Sequence, residues 1–238
     1  MKIIQNILQL LFPNKCISCQ EIVSHDANFC AKCWPNLQFI NFPKCKICSY
    51  PFELNLGDEI SKICANCLKK TPFFDETISI YRYNDIIGNA IANYKYRDQT
   101  HLAKIFAKIL IKKTQNFIDD CDIICAIPLH KNKLKIRKFN QSILIAKHIN
   151  SQKTVFDLII RVKEQQSQVK LSQKKRIKNL KRAFIVNPKY KNKINGKTIL
   201  LIDDVITTST TINSVSRVLK KNGVKKIKVL TIAKTIFS

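Results

Sequence analysis

The spacing of apolar positions changes along this chain, and the change marks its organisation. From Thr71 onward, apolar runs of two kinds alternate. Thr77 to Tyr83 (TISIYRY) alternates β-branched and aromatic residues, the period of a strand. Ile86 to Tyr96 and Leu102 to Lys113 follow a helical period; in the second, Leu102, Ile105, Phe106, Ile109 and Leu110 share one face, and Thr100 is the predicted N-cap. Asp122 to Ile127 is a short continuous apolar run, the signature of a buried strand. A polar loop is predicted over Pro128 to Phe139, then a helix from Gln141 to Ile149 capped by Asn140. Thr198 to Ile202 and Lys226 to Ile232 read as strands, with a helix over Ile212 to Lys221 between them. Strands that alternate with helices predict an α/β fold: a mostly parallel sheet with helices on both faces.

The first 70 residues follow no such alternation, so the chain divides into 1–70 and 71–238. Residues 1–12, MKIIQNILQLLF, read as a short amphipathic helix, with membrane contact or partner docking as a second reading. Gln5, Asn6 and Gln9 interrupt its apolar run, and no small-residue cleavage site follows, so it is not read as a signal peptide. Eight of the ten cysteines then form four Cys-x-x-Cys pairs: Cys16/Cys19, Cys30/Cys33, Cys45/Cys48 and Cys64/Cys67. One tight turn lets two thiolates share a metal, and two turns complete a tetrahedral site. Fifteen residues separate the third and fourth pairs, a zinc-site spacing; ten separate the first and second. A disulfide framework needs an oxidising compartment, and a thioredoxin-like motif is one pair, not four. One or two structural Zn²⁺ ions are therefore expected, pairing first with second and third with fourth, with an interleaved arrangement open. Few large apolar residues lie in this segment, so metal would supply much of its folding free energy. Cys121 and Cys125 flank the strand run without a paired motif and read as core.

Composition adds charge. The chain has 238 residues, 45% hydrophobic, with a net charge of +26, a field that attracts polyanions or phosphate-rich ligands. A global bias toward Lys, Ile and Asn offers a second explanation. The excess is local in one place: Arg161 to Lys197 holds thirteen Lys or Arg and one acid, Glu164. No apolar stretch reaches the ~18 residues that span a membrane, so no transmembrane segment and a cytoplasmic location are expected.

The most informative chemistry lies in LLIDDVITTS, Leu200 to Ser209. An apolar strand runs into Asp203 and Asp204, then into a hydroxyl-rich turn of Thr207, Thr208, Ser209, Thr210 and Thr211 at a helix start. Ligands of open α/β sheets bind at the carboxyl ends of strands. Helix N–H groups there favour a phosphate, and carboxylates accept hydrogen bonds from sugar hydroxyls, so the segment suits a sugar phosphate. The alternative is simple capping of the helix. The loop after the strand DIICAI carries His130, Lys131, Lys133, Lys135, Arg137 and Lys138, a charge that suits a pyrophosphate if the two strands are neighbours.

The segment from Leu200 resembles the phosphoribosyl pyrophosphate (PRPP) loop of type I phosphoribosyltransferases. The wider set of motifs resembles the ComF family of competence-associated proteins: Leu-Leu-Phe-Pro before Cys16, YKYRD over Tyr94 to Asp98, Pro-Leu-His before a basic loop, and Arg-x-Phe-Asn-Gln from Arg137. The resemblance implies a type I phosphoribosyltransferase-like fold behind a double zinc ribbon. It assigns Asp203 and Asp204 to the ribose hydroxyls, Thr207, Thr208, Ser209, Thr210 and Thr211 to the 5′-phosphate, and Lys131 and Arg137 to the pyrophosphate, with Mg²⁺ bound alongside PRPP. Arg161, Gln168, Leu171, Arg176, Asn179 and Phe184 occupy recurring family positions. Where the family usually has Gly, this chain has Lys138 and Ser209. Two functions follow: a phosphoribosyltransferase acting in DNA uptake or nucleotide metabolism, or a non-catalytic accessory protein binding single-stranded DNA. A third has the ribbons dock a helicase-like competence protein.

Overall fold

The computed structural model describes residues 13–24, 27–53, 62–97, 99–162 and 183–236. The amphipathic stretch 1–12 and most of the basic run, including Gln168, Leu171, Arg176 and Asn179, lie outside the described residues.

Four strands form one sheet in the order β1 (Glu76–Arg82), β6 (Lys226–Lys234), β5 (Thr198–Ile206) and β2 (Ile123–Ala126), all parallel. A single parallel bridge from Ile124 to Thr154 lies beyond β2. At the other edge the chain before β1 folds back antiparallel: Ile40 N–H donates to Ile80 O at 2.9 Å and Arg82 N–H to Gln38 O at 2.7 Å. The cysteine-rich segment thereby pairs with the edge of the sheet.

Parallel strands are buried on both faces, and the period of two sorts their residues. Leu200, Ile202, Leu230 and Ile232 point to one face, where α2 (Asp85–Tyr96), α3 (Leu102–Asp119) and α5 (Gln141–Ile149) supply Ile87, Tyr94, Phe106, Leu110 and Ile145. Ile199, Leu201, Ile227 and Val229 point to the other, where α6 (Thr210–Lys221) supplies Ile212, Val215 and Leu219. The expected layers are therefore present.

Four local expectations change. The start of α3 lies at His101, with no side-chain cap; Thr100 contributes its carbonyl, which accepts from Ala103 N–H at 3.0 Å. The same helix continues to Asp119 past a kink at Thr114, whose hydroxyl donates to Leu110 O at 2.8 Å. The loop after β2 contains a seven-residue helix, α4 (Lys131–Arg137). His130 Nδ1 accepts from Asn132 N–H at 3.2 Å and starts it, and Lys, Leu and Arg sustain it. Finally, β5 runs on through Asp203 and Asp204 to Ile206, because β6 remains its partner as far as Lys234.

The remaining sheet is a small antiparallel pair, β3 (Ile159–Arg161) and β4 (Phe184–Val186), in which the Arg161 guanidinium lies 5.3 Å from the centre of the Phe184 ring. α1 (Ala65–Lys69) belongs to the cysteine-rich segment. Among the described residues, no helix is long and apolar enough to cross a membrane.

Candidate functional site

The cysteines form two sets of four, Cys16, Cys19, Cys30 and Cys33, then Cys45, Cys48, Cys64 and Cys67. Within each set the sulfurs all lie within 4.8 Å of one another. Cys19 and Cys30 Sγ are 3.5 Å apart, and Cys48 and Cys64 Sγ are 3.6 Å apart. These separations exclude disulfides and match the edges of a sulfur tetrahedron around zinc, about 3.8 Å for Zn–S bonds of about 2.3 Å. The donor set therefore fits Zn²⁺, with the sequential pairing.

The backbone explains the grouping and reveals a repeat that the spacing hid. In the first turn of each set, the amide four residues on closes onto the leading cysteine carbonyl: Gln20 N–H to Cys16 O at 3.0 Å, and Ser49 N–H to Cys45 O at 2.8 Å. Both residues adopt the left-handed conformation, φ 69° and 62°. The leading cysteine amides then donate five residues ahead, to Glu21 O and Tyr50 O, each at 2.7 Å. The sets sit on opposite faces of the sheet: the first packs into the core with Tyr81, Ile91 and Tyr94, the second into the core with Phe74, Ile227 and Val229. Asn93 on α2 donates to the carbonyls of Ile17 and Ser18, both at 2.9 Å, tying the first set to the site below.

That site lies where β5 ends. Asp203 Oδ1 accepts from Ser142 Oγ of α5 at 3.3 Å and from Asp204 N–H at 3.0 Å. Burial and the adjacent Asp204 push its carboxyl up to about 7, against the opposing pull of its hydrogen bonds and of Lys95. Asp204 Oδ2 pairs with Lys95 Nζ of α2 at 2.6 Å, both side chains largely buried. The turn follows directly. Ser209 takes the left-handed conformation, φ 56°, and no side chain caps α6. Thr208 and Thr210 hydroxyls meet at 2.9 Å, and Thr207 and Thr208 are exposed. Thr211 is in the first turn of α6.

Because β2 pairs with β5, the basic segment does lie beside the acid pair. Asn140 caps α5 at Ser142 N–H and donates to Ile127 O at 2.9 Å, which fixes α5 against the end of β2. Arg137 donates to Tyr96 Oη at 2.9 Å and reaches Gln141 Oε1 at 3.5 Å, with its guanidinium 5.0 Å from the Tyr96 ring centre. Lys131 opens α4, and Lys138 after it is left-handed, φ 63°. So both positions where the family prefers Gly keep the glycine-like backbone.

Two contributors to the acid pair escaped the sequence reading, Lys95 and Ser142. Lys95 was visible inside YKYRD, but only the fold brings α2 over β5. Ser142 carried no signal beyond its place after the Asn140 cap.

The sheet order and the two cysteine tetrads define a protein of the type I phosphoribosyltransferase fold joined to a double zinc ribbon. Residues 7–68 match the double zinc ribbon domain, and 141–236 match the phosphoribosyl transferase domain. Competence protein F of Haemophilus influenzae is 29% identical over 221 residues, 86% of this chain and 96% of its own length. Competence protein ComFC of Bacillus subtilis is 24% identical, covering 85% of this chain and 82% of its own. DNA utilization protein YhgH of Salmonella typhimurium is 25% identical, covering 73% and 78%. Over most of its length the chain is thus similar to the ComF competence proteins, with a double zinc ribbon match before a phosphoribosyl transferase match.

Proposed function

We propose that this protein binds PRPP at the carboxyl end of β5 and acts in DNA uptake or utilisation. The observation that carries the reading is the acid pair beside a helix N-terminus that no side chain caps. Asp203 and Asp204 accept hydrogen bonds from the ribose 2′- and 3′-hydroxyls. The turn from Thr207 to Thr211 offers backbone N–H groups and hydroxyls to the 5′-phosphate. Lys131 and Arg137 are assigned to the pyrophosphate. The two carboxylates are hard oxygen donors and suit Mg²⁺, which when bound offsets the charge of the pyrophosphate oxygens. Residues 1–70 hold the amphipathic N-terminal stretch followed by a double zinc ribbon with structural Zn²⁺, and 71–238 the PRPP-binding domain, in a cytoplasmic protein.

Thermal denaturation tests this reading, since a ligand that binds only the folded state raises Tm. Addition of PRPP with Mg²⁺ raises the Tm of the wild type and leaves Asp203→Asn/Asp204→Asn unmoved. An equal rise in both would remove the acid pair from the site.

A second reading, binding of single-stranded DNA, draws on the relatives' names and on the net charge of +26. Phosphate contacts would show as a steep fall in affinity with added salt. No binding at low salt would remove this reading and leave docking of a helicase-like partner.

A further inference from the structure

Arg137 ends α4, and two other helices hold it through uncharged groups. Tyr96, the last residue of α2, accepts from the guanidinium at Oη, 2.9 Å away, and the guanidinium lies 5.0 Å from the centre of its ring. Gln141, the first residue of α5, offers Oε1 at 3.5 Å. Gln141 is 1% exposed, and its Nε2 has no acceptor among the described residues. A buried donor left unpaired is destabilising, so the carboxamide is turned to suit Arg137 and not its own hydrogen bonding.

The sequence neighbours of both holders reach the acid pair. Lys95, before Tyr96, pairs with Asp204 at 2.6 Å, and Ser142, after Gln141, donates to Asp203 at 3.3 Å. Lys95-Tyr96 and Gln141-Ser142 therefore each grip a carboxylate with one side chain and Arg137 with the other. The arginine thereby gains a fixed place relative to Asp203 and Asp204. Its charge stays intact. A phenol, an aromatic face and a carboxamide do not neutralise it, and among the described residues no carboxylate pairs with it. A stacked guanidinium keeps the N–H groups of its free edge for a phosphate, whose geometry it matches in bidentate form.

We propose that Tyr96 is a positioning residue, which holds Arg137 in place for the pyrophosphate of PRPP and acts on the ligand only through that arginine. The proposal rests on the PRPP reading above and adds to it the device that preorganises the cation. Tyr96 is 64% exposed, so filling the core does not account for its place at the end of α2. Ordering one long side chain before the ligand arrives is worth about two- to tenfold in affinity.

Calorimetry with PRPP and Mg²⁺ on the full-length, zinc-loaded protein compares wild type, Tyr96→Ala, Tyr96→Phe, Arg137→Ala and Tyr96→Ala/Arg137→Ala. Tyr96→Ala should weaken PRPP about tenfold, and Tyr96→Phe, which keeps the ring and loses the acceptor, about threefold. Arg137→Ala should weaken it by at least about tenfold, the loss of charge-assisted hydrogen bonds. The double variant should bind as Arg137→Ala alone does, because Tyr96 has nothing left to position. A residue that only supports the fold, or one that touches PRPP itself, would weaken the double variant further, and that additivity overturns the proposal. An unchanged or tighter PRPP affinity in Tyr96→Ala also overturns it; the wild type then binds PRPP, and only the role of Tyr96 falls. Absence of PRPP binding by the wild type overturns the PRPP reading and the positioning role with it.

Discussion

Lys95 Nζ lies 2.6 Å from Asp204 Oδ2, and this ion pair fastens helix α2 to the end of strand β5. It sets the charge of the site as well as its shape. Lys95 draws the Asp203 carboxyl down, against burial and the neighbouring Asp204. Lys95→Met should therefore raise the Asp203 titration, and the pH midpoint for PRPP binding should move up by about one unit. Affinity measured from pH 5 to about 9 checks this. An unmoved midpoint would separate Lys95 from the binding carboxylates.

The elevated Asp203 carboxyl has a consequence for stability. Its folded value, about 7, lies above the unfolded value of about 4. The folded state then holds a proton that the unfolded state has lost. Stability is fully present below about pH 4 and is lost as pH rises through about 7. Asp203→Asn removes that loss, so the variant should be more stable than wild type at about pH 8, by up to about 4 kcal/mol, and nearly equal at about pH 4. Denaturant unfolding at the two pH values reads the difference.

Ser209 and Lys138 both hold the left-handed conformation without being glycine, φ 56° and 63°. A side chain there costs about 1 kcal/mol in backbone strain. Ser209→Gly and Lys138→Gly should each stabilise the protein by up to about 1 kcal/mol, less the added freedom of the unfolded chain. Thermal unfolding checks both. If Ser209→Gly also leaves PRPP affinity unchanged, the serine hydroxyl makes no contact with the phosphate.

The two cysteine tetrads predict two Zn²⁺ per chain, measurable by atomic absorption. Both tetrads share their hydrophobic clusters with the sheet, so chelation at pH 7 should lower the Tm of the whole protein. Trp34, the single tryptophan, packs edge-on to Phe39 at 6.2 Å and reports the first ribbon by its fluorescence. A purified protein with no zinc and an unchanged Trp34 spectrum under chelation would contradict the metal assignment.

Much of this architecture was legible in the chain because its signals are local. The alternation of apolar runs gave the layers, and the Asn140 cap and the Cys-x-x-Cys turns lie where their side chains imply. Sequential pairing of the tetrads was expected from the spacing with an interleaved arrangement left open, and the grouping of the sulfurs is the sequential one. What stayed hidden depends on long-range packing. The polar loop after β2 proved helical over Lys131–Arg137, where the His130 side chain accepts from Asn132 N–H at the start of the helix. The acids of β5 lie on the strand because β6 continues beside them. Lys95 and Asp204 are 109 positions apart, and nothing in their local spacing pairs them. The pairing of Gln38 to Ile40 with β1 likewise arises only when the ribbon meets the sheet edge.

Calorimetric titration of PRPP with Mg²⁺ into the wild type and into Asp203→Asn/Asp204→Asn is the most direct test of the site at the end of β5. Saturable binding by the wild type and none by a folded double variant is the predicted result. No heat from either protein, or equal affinity in both, would contradict it.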